Sequence, residues 1–279
     1  MIDSHQHYWD KERFHYPWLM PTLGCLYNTF LPEDLAPLVR AAGVDKTVVV
    51  QAMSSLEEMD FLLSLAEANE FIGGVVGWVD LTASNLNQTL DELCKRSKLK
   101  GVRHQIEDEP NREWLLQPSV IQGLRCVAEH GLCFDALLKQ DQLWQLKTIT
   151  KEIPALKIVV DHAAKPDIAK GKYDEWAGRI VEVAKLPVYC KLSGLLTEAD
   201  HDSWTTEDIL PYAQHVLNSF GANRVMFGSD WPVSTMAADY QTSVNTALRL
   251  LQDLTPEERE CVMDGNARRF YGIEGGIAR

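Results

Sequence analysis

The opening residues, MIDSHQHYWD, place Asp3, His5, His7 and Trp9 at every second position. In an extended strand, side chains two apart share a face. The spacing therefore predicts that these four point one way, with Ile2, Ser4, Gln6 and Tyr8 opposite. Two imidazoles on one strand face can hold a divalent ion or orient a substrate oxygen. Comparable groups follow the later apolar runs: Gln51, Arg103 and His104, Asp135, Asp161 and His162, Lys191 and Ser193, then Asp230 and Trp231. Burying such groups without compensation costs several kcal/mol each. Gathered in one place they describe a wet pocket able to move protons and stabilise developing charge.

Each group also has a plainer reading. A single buried histidine is more often a hydrogen-bonded core residue than a ligand, and His15, His130, His201 and His215 are read that way. Asp230 precedes a proline and could cap a turn. Arg103 and His104 could form a structural ion-pair site, or a fork for a substrate carbonyl or carboxylate. Lys191 could pair with Asp161 or Asp135. Trp78 reads as core, and Asp10 and Glu107 as solvated surface. Trp9 and Trp231 flank titratable groups and could offer an apolar platform to a sugar-like ring.

Short β-branched runs at 45–52, 71–80, 99–106, 131–138, 156–162, 187–194 and 223–232 alternate with helical patterns, among them 31–43, 56–69, 120–131 and 206–221. Near-continuous apolar runs fit parallel strands buried on both faces. With the opening segment there are eight βα units, which predicts an α/β fold, a single (β/α)8 barrel over residues 1–279. Such a barrel carries its chemistry at the carboxyl ends of its strands, where the polar groups above fall. An open doubly wound sheet competes, but neither G-x-G-x-x-G nor G-x-x-x-x-G-K-[ST] follows any strand. Residues 10–30 become the loop after strand 1, laid over the barrel mouth.

With 40 acidic against 27 basic residues, the net charge of −13 argues against non-specific nucleic-acid binding and a basic membrane-surface patch. The first residues lack the basic-then-apolar pattern of a secretory leader, and no run of about 18 apolar residues occurs. Six scattered cysteines without C-x-x-C read as reduced thiols. A cytoplasmic monomer or homodimer acting on a small molecule is expected, with no nucleic-acid or membrane partner.

Taken together, DSHQHYW, GVRH, DHAAKP, FGSDWPV and GNARRFYG resemble the amidohydrolase superfamily. More narrowly they resemble its sugar-lactonase branch, which includes L-fucono- and L-rhamnono-lactone hydrolases and is related to 2-pyrone-4,6-dicarboxylate lactonase. The match runs from the first strand to DGNARRFYGI. It implies a distorted, amidohydrolase-type (β/α)8 barrel that opens a sugar lactone. Matched to the family's motifs, His5 and His7 are the strand-1 pair, His162 the strand-6 histidine and Asp230 the strand-8 general base. The resulting expectation assigns catalysis to Asp230, His162 and His104, and substrate binding to Arg103, Gln51, Trp9, Asp135, Lys191 and Trp231. His5, His7 and Asp230 hold one divalent ion, Zn or Mn, or act without a metal. Binuclear members use a carboxylated lysine on strand 4 and a histidine on strand 5. Here Arg103, His104 and FDALL stand instead, so a two-metal site is not expected. The alternative is a metal-dependent decarboxylase of the same superfamily, acting on a small carboxylic acid. A pure binding protein would have no reason to place His, Asp and Arg at several strand ends.

Overall fold

The computed structural model describes residues 1–274. Eight strands form one sheet in chain order: β1 (Ile2–Gln6), β2 (Lys46–Val50), β3 (Ile72–Gly77), β4 (Leu99–Gln105), β5 (Cys133–Leu137), β6 (Lys157–Val160), β7 (Tyr189–Leu192) and β8 (Val225–Phe227). Neighbours pair in parallel throughout. The sheet then curls back on itself: Asp230 N donates to the His5 carbonyl at 2.8 Å, and His7 N to the Trp231 carbonyl at 2.7 Å. This is the expected (β/α)8 barrel. Its strands stop short of the apolar runs in the sequence. The run 223–232 yields only three ladder residues, because its second half leaves the sheet to build the barrel mouth.

Helices α1 (Pro32–Ala41), α2 (Leu56–Ala68), α3 (Leu86–Leu93), α4 (Pro118–Glu129), α5 (Leu146–Glu152), α6 (Asp174–Ala184), α7 (Thr206–Phe220) and α8 (Tyr240–Leu250) follow the eight strands in turn. Alternation along each strand makes two cores. Val49, Val75, Val102, Phe134, Ile158 and Val160 pack outward with helix residues such as Leu62, Leu124, Ile180 and Val216. Ile2, Val48, Val76, Val159 and Met226 point inward. Two short helices, α9 (Pro256–Glu260) and α10 (Asn266–Tyr271), end the described chain. Phe270 and Tyr271 of α10 fill the amino end of the barrel against that inner layer. Asn266 anchors α10 by donating to the Val225 carbonyl at 2.5 Å. No helix among the described residues is long and apolar enough to cross a membrane.

β1 breaks the alternation read from its sequence. Its pairing with β2 runs Asp3 to Thr47 and then Gln6 to Val49, so β1 advances three residues where β2 advances two. One extra residue is a β-bulge, and it switches the face of everything beyond it. Asp3 therefore does not share a face with His5 and His7. Its carboxylate turns to the helix layer, where it accepts hydrogen bonds from Ser229 N (2.8 Å), Ser229 Oγ (2.6 Å) and Tyr240 OH of α8 (3.0 Å). Burial pushes its pKa up to about 6, against those hydrogen bonds. Asp3 holds the seam between β1 and the end of β8 and is not part of the pocket.

That seam is narrow. A Cβ on Gly228 would lie 2.7 Å from His5 Cβ and 3.1 Å from His5 N, closer than carbon atoms tolerate. Gly228→Ala is expected to destabilise the fold by about 1–3 kcal/mol through overpacking. The readout is a lower urea midpoint at unchanged m-value; an unchanged midpoint would mean that the seam yields freely.

Candidate active site

The lower tier of the site is a sealed layer of charge. Lys191, on β7, is fully buried with its ammonium between Asp135 of β5 and Asp161 at the end of β6. It hydrogen-bonds Asp135, lies 3.1 Å from Asp161 Oδ1, and donates to His5 Nδ1 at 3.0 Å. Tyr271 reaches up from the barrel plug to Asp135 Oδ2 at 2.8 Å. Arg103, on β4, stands 3.4 Å from both Asp161 Oδ2 and His5 Nε2, and its other nitrogen donates to the Gln51 carbonyl.

Burial disfavours every one of these charges, and the partners decide the outcome. It would raise Asp161, but Lys191 and His5 hold that carboxyl well below the usual range. At Asp135 burial wins over Lys191, and the pKa rises to about 6. Burial would lower Lys191, yet the two aspartates raise it, so it stays an ammonium. Burial and then Lys191 drive His5 well below its ordinary value. His5 is a neutral imidazole whose Nδ1 accepts from Lys191, while its Nε2 lies 3.2 Å from His7 Nε2.

Above this layer sit His7, His162 and Asp230. Asp230 Oδ1 lies 3.3 Å from His7 Nε2, 3.7 Å from His5 Nε2 and 3.9 Å from His162 Nε2. Burial would raise Asp230, but His162, His7 and His5 hold it well below the usual carboxylate range, so it stays ionised. Burial lowers His162, against the pull of Asp230. His7 Nδ1 is 2.8 Å from the Val50 carbonyl, which can only accept. In neutral His7 the proton is therefore on Nδ1, and the Nε2 lone pair faces the Asp230 carboxylate. His5 Nε2, 3.2 Å away, can donate to the same lone pair. His162 Nδ1 meets Ser193 Oγ at 2.9 Å. Its ring also packs on Gly194 so tightly that a Cβ there would be 2.6 Å from Nδ1.

Backbone strain concentrates here. Among the described residues, the non-glycine positions with positive φ are His162, Ala163, Ala164, Lys165 and Asp230. Each costs on the order of 1–2 kcal/mol, and such strain persists only where surrounding contacts impose it. Trp176 Nε1 donates to the Ala163 carbonyl at 2.7 Å, and Lys165 N to the His162 carbonyl at 2.8 Å, which secures the left-handed turn.

These groups floor a cavity of about 350 Å3. One wall is apolar, made by Trp9, Trp18, Leu23 and Leu26 from the strand-1 loop, with Val233 and Met236. That loop does lie over the mouth, pinned by Trp18 Nε1 donating to the Ala52 carbonyl at 2.8 Å and Trp9 Nε1 to that of Asn28 at 2.7 Å. The other wall is polar: Arg103, Gln105, Glu107, Lys165 and Glu198. A larger hollow of about 690 Å3 lies outside the barrel near α5 and α6. Its charges include the exposed pairs Arg179–Glu175 and Lys185–Glu182, with none of the buried imidazoles or carboxylates of the mouth.

Of the residues expected at the site, His7, His162, Asp230, Arg103 and Trp9 meet at the cavity, with His5 immediately beneath. Five others do not line it. His104 alternates away from Arg103, stacks on Trp114 at 3.9 Å, accepts from Trp78 Nε1 and meets Glu109 at 2.6 Å. Asp135 and Lys191 lie under the floor, bound to each other. Gln51 is buried, and Arg103 engages only its main-chain carbonyl. Trp231 is buried behind the seam, edge-to-face with Phe30 at 5.4 Å. Conversely, Glu107, expected at the surface, lines the cavity and pairs with Lys165 at 2.6 Å. Lys165 and Glu198 were not singled out at all, although Lys165 stands three residues after His162 in DHAAKP.

A family model described as "Amidohydrolase" matches residues 2–273. The chain belongs to the amidohydrolase family. It is 38% identical to an L-fucono-1,5-lactonase of Burkholderia ambifaria, over 98% of this chain and 96% of the relative. An L-fucono-1,5-lactonase of Burkholderia multivorans is 35% identical over the same shares. A crystal structure of an amidohydrolase from Burkholderia multivorans with bound Zn superposes with a TM-score of 0.92 at 35% identity, covering 98% of this chain and 99% of that one.

The donors of this amidohydrolase are consistent with one divalent ion or none. His5, His7 and Asp230 bring ligand atoms within 4.8 Å of one another, and imidazole with carboxylate suits Zn or Mn. The set His5, Asp161 and His162 is equally compact. There, however, Lys191 and Arg103 already compensate Asp161 and flank His5, which works against a second ion. Removing that compensation should be costly. Lys191→Met strands two buried aspartates and is expected to lose about 3–5 kcal/mol of stability, with Asp135→Asn in the same chain restoring part of it. Chemical denaturation reads both, and a single variant as stable as the parent would refute the ionic layer.

Proposed function

We propose that this amidohydrolase opens the ring of a sugar lactone of the L-fucono-1,5-lactone kind, with Asp230 activating the attacking water. One observation carries this reading: a buried carboxylate stands within 4 Å of three imidazole nitrogens on the floor of a cavity with one polar and one apolar wall. The names of the 35–38% identical relatives supply the substrate class.

The chemistry follows from the charges. A water on the floor gives a proton to Asp230 as its oxygen bonds the carbonyl carbon. Asp230 is a weak base by its pKa, so His7 and His162 must orient the water and disperse the proton's charge. Arg103 faces the same cavity and stabilises the oxyanion. The carbon–ring oxygen bond then breaks, the proton on Asp230 passes to the departing oxygen, and the product is the open-chain acid. A lactone is electrophilic enough that this set suffices. When bound, one ion held by His5, His7 and Asp230 would add Lewis acidity and lower the pKa of water. The decarboxylase alternative gains no specific support, since the 35–38% identical relatives are named as lactonases.

Two measurements test this. Proton release from L-fucono-, L-rhamnono-, D-arabinono- and D-galactono-lactones, before and after chelation, is expected to show turnover of one stereochemical series. Asp230→Asn should then lose about 10³-fold in kcat; near-normal turnover would remove Asp230 as base. The second is the pH profile. Burial lowers His162, and burial with Lys191 lowers His5, so both are neutral at pH 7 and gain protons only below their ordinary value of about 6.5. Accordingly kcat/KM should hold level from pH 8 to about 6.5 and fall at lower pH. A fall already complete by pH 7 would contradict neutral His5 and His162.

A further inference from the structure

On the lactonase reading above, we infer that Lys165 and Glu107 form a hydroxyl clamp, the group that recognises the sugar part of the lactone as distinct from its ester. The left-handed turn from His162 to Lys165 brings residues three apart to one side, so the strand-6 histidine and Lys165 enter the same cavity. Glu107 arrives from the turn that ends β4 and meets the ammonium at 2.6 Å. Both side chains are largely withdrawn from solvent, 27% and 9% exposed, and both line the cavity.

An ammonium carries three N–H donors and no acceptor. The hydrogen bond of Lys165 to Glu107 is one of them, which leaves donors available beside a carboxylate that still accepts. A donor and an acceptor fixed side by side match two neighbouring hydroxyls, one accepting from Lys165 and one donating to Glu107. Glu198, on the same wall, adds an acceptor and contributes to the field that keeps Lys165 charged. The opposite wall of Trp9, Trp18, Leu26 and Met236 has little to offer a hydroxyl and suits the C–H face of the ring. A sugar lactone with its carbonyl over Asp230 must then turn its hydroxyls towards Lys165.

Steady-state kinetics on whichever aldonolactone the wild type turns over are compared with Lys165→Met, Glu107→Gln and Lys165→Arg. A clamp acting on the ground state predicts KM at least about 10-fold higher in the Met and Gln variants, with Arg intermediate. An unchanged KM in both, whatever happens to kcat, overturns the inference. Glu107→Gln keeps shape and volume, so it decides the matter if Lys165→Met does not fold. Calorimetric binding of the matching aldonate reads the clamp without turnover, and should weaken by a similar factor. Wild type inert on every aldonolactone, with aldonate binding still dependent on Lys165, would sink the reaction and leave the clamp standing.

Discussion

The whole site rests on one buried ammonium. Lys191 lies inside the barrel with Asp135 and Asp161 on two sides and His5 Nδ1 above. Such a layer is not a store of stability, since desolvating several charges costs about as much as their attraction returns. Its effect is positional. Strands β1, β5 and β7 and the end of β6 each contribute a group that cannot move without stranding another. Tyr271 extends the constraint to α10. The closing helix, the barrel interior and the first histidine of the floor are thereby one connected structure.

Strain is the second tier. The floor needs His162 and Asp230 aimed inward just past the strand ends, where the ladder no longer dictates direction. The chain achieves this with left-handed backbone at both residues, secured by Trp176 from α6 and by the β1–β8 seam. Gly194 and Gly228 stand where any side chain would strike His162 or His5. Rigid imidazoles and an ionised carboxylate are thus held before substrate arrives, which is the condition for electrostatic stabilisation without reorganisation. The loop residues around the mouth are separate from this floor and form two chemically different walls.

The barrel was legible because its signal is simple: eight apolar runs separated by helical ones, with the helices 56–69 and 206–221 found within a residue of their observed ends. The floor was legible for a related reason. His5 lies near the end of β1, His7, His162 and Asp230 just past their strands, and barrel topology sends strand ends to one mouth. Errors arose where a single residue changed a parity. The bulge in β1 turned Asp3 to the opposite face, and alternation in β4 separated His104 from its neighbour Arg103. Depth was equally invisible, and it divides Lys191 and Asp135 below the floor from Arg103 at its edge.

By itself, then, the sequence determined the fold class, the family and the four residues of the floor, since these depend on periodicity and on order along the chain. Only the tertiary structure decided which polar residues form the sealed layer and which face a substrate. Glu107 and Lys165 lie 58 positions apart, and nothing local to either announces the other. Their pairing needs the turn after β4 to meet a left-handed turn after β6 across the barrel mouth. That is a fact of closure, and closure is set by all eight strands together.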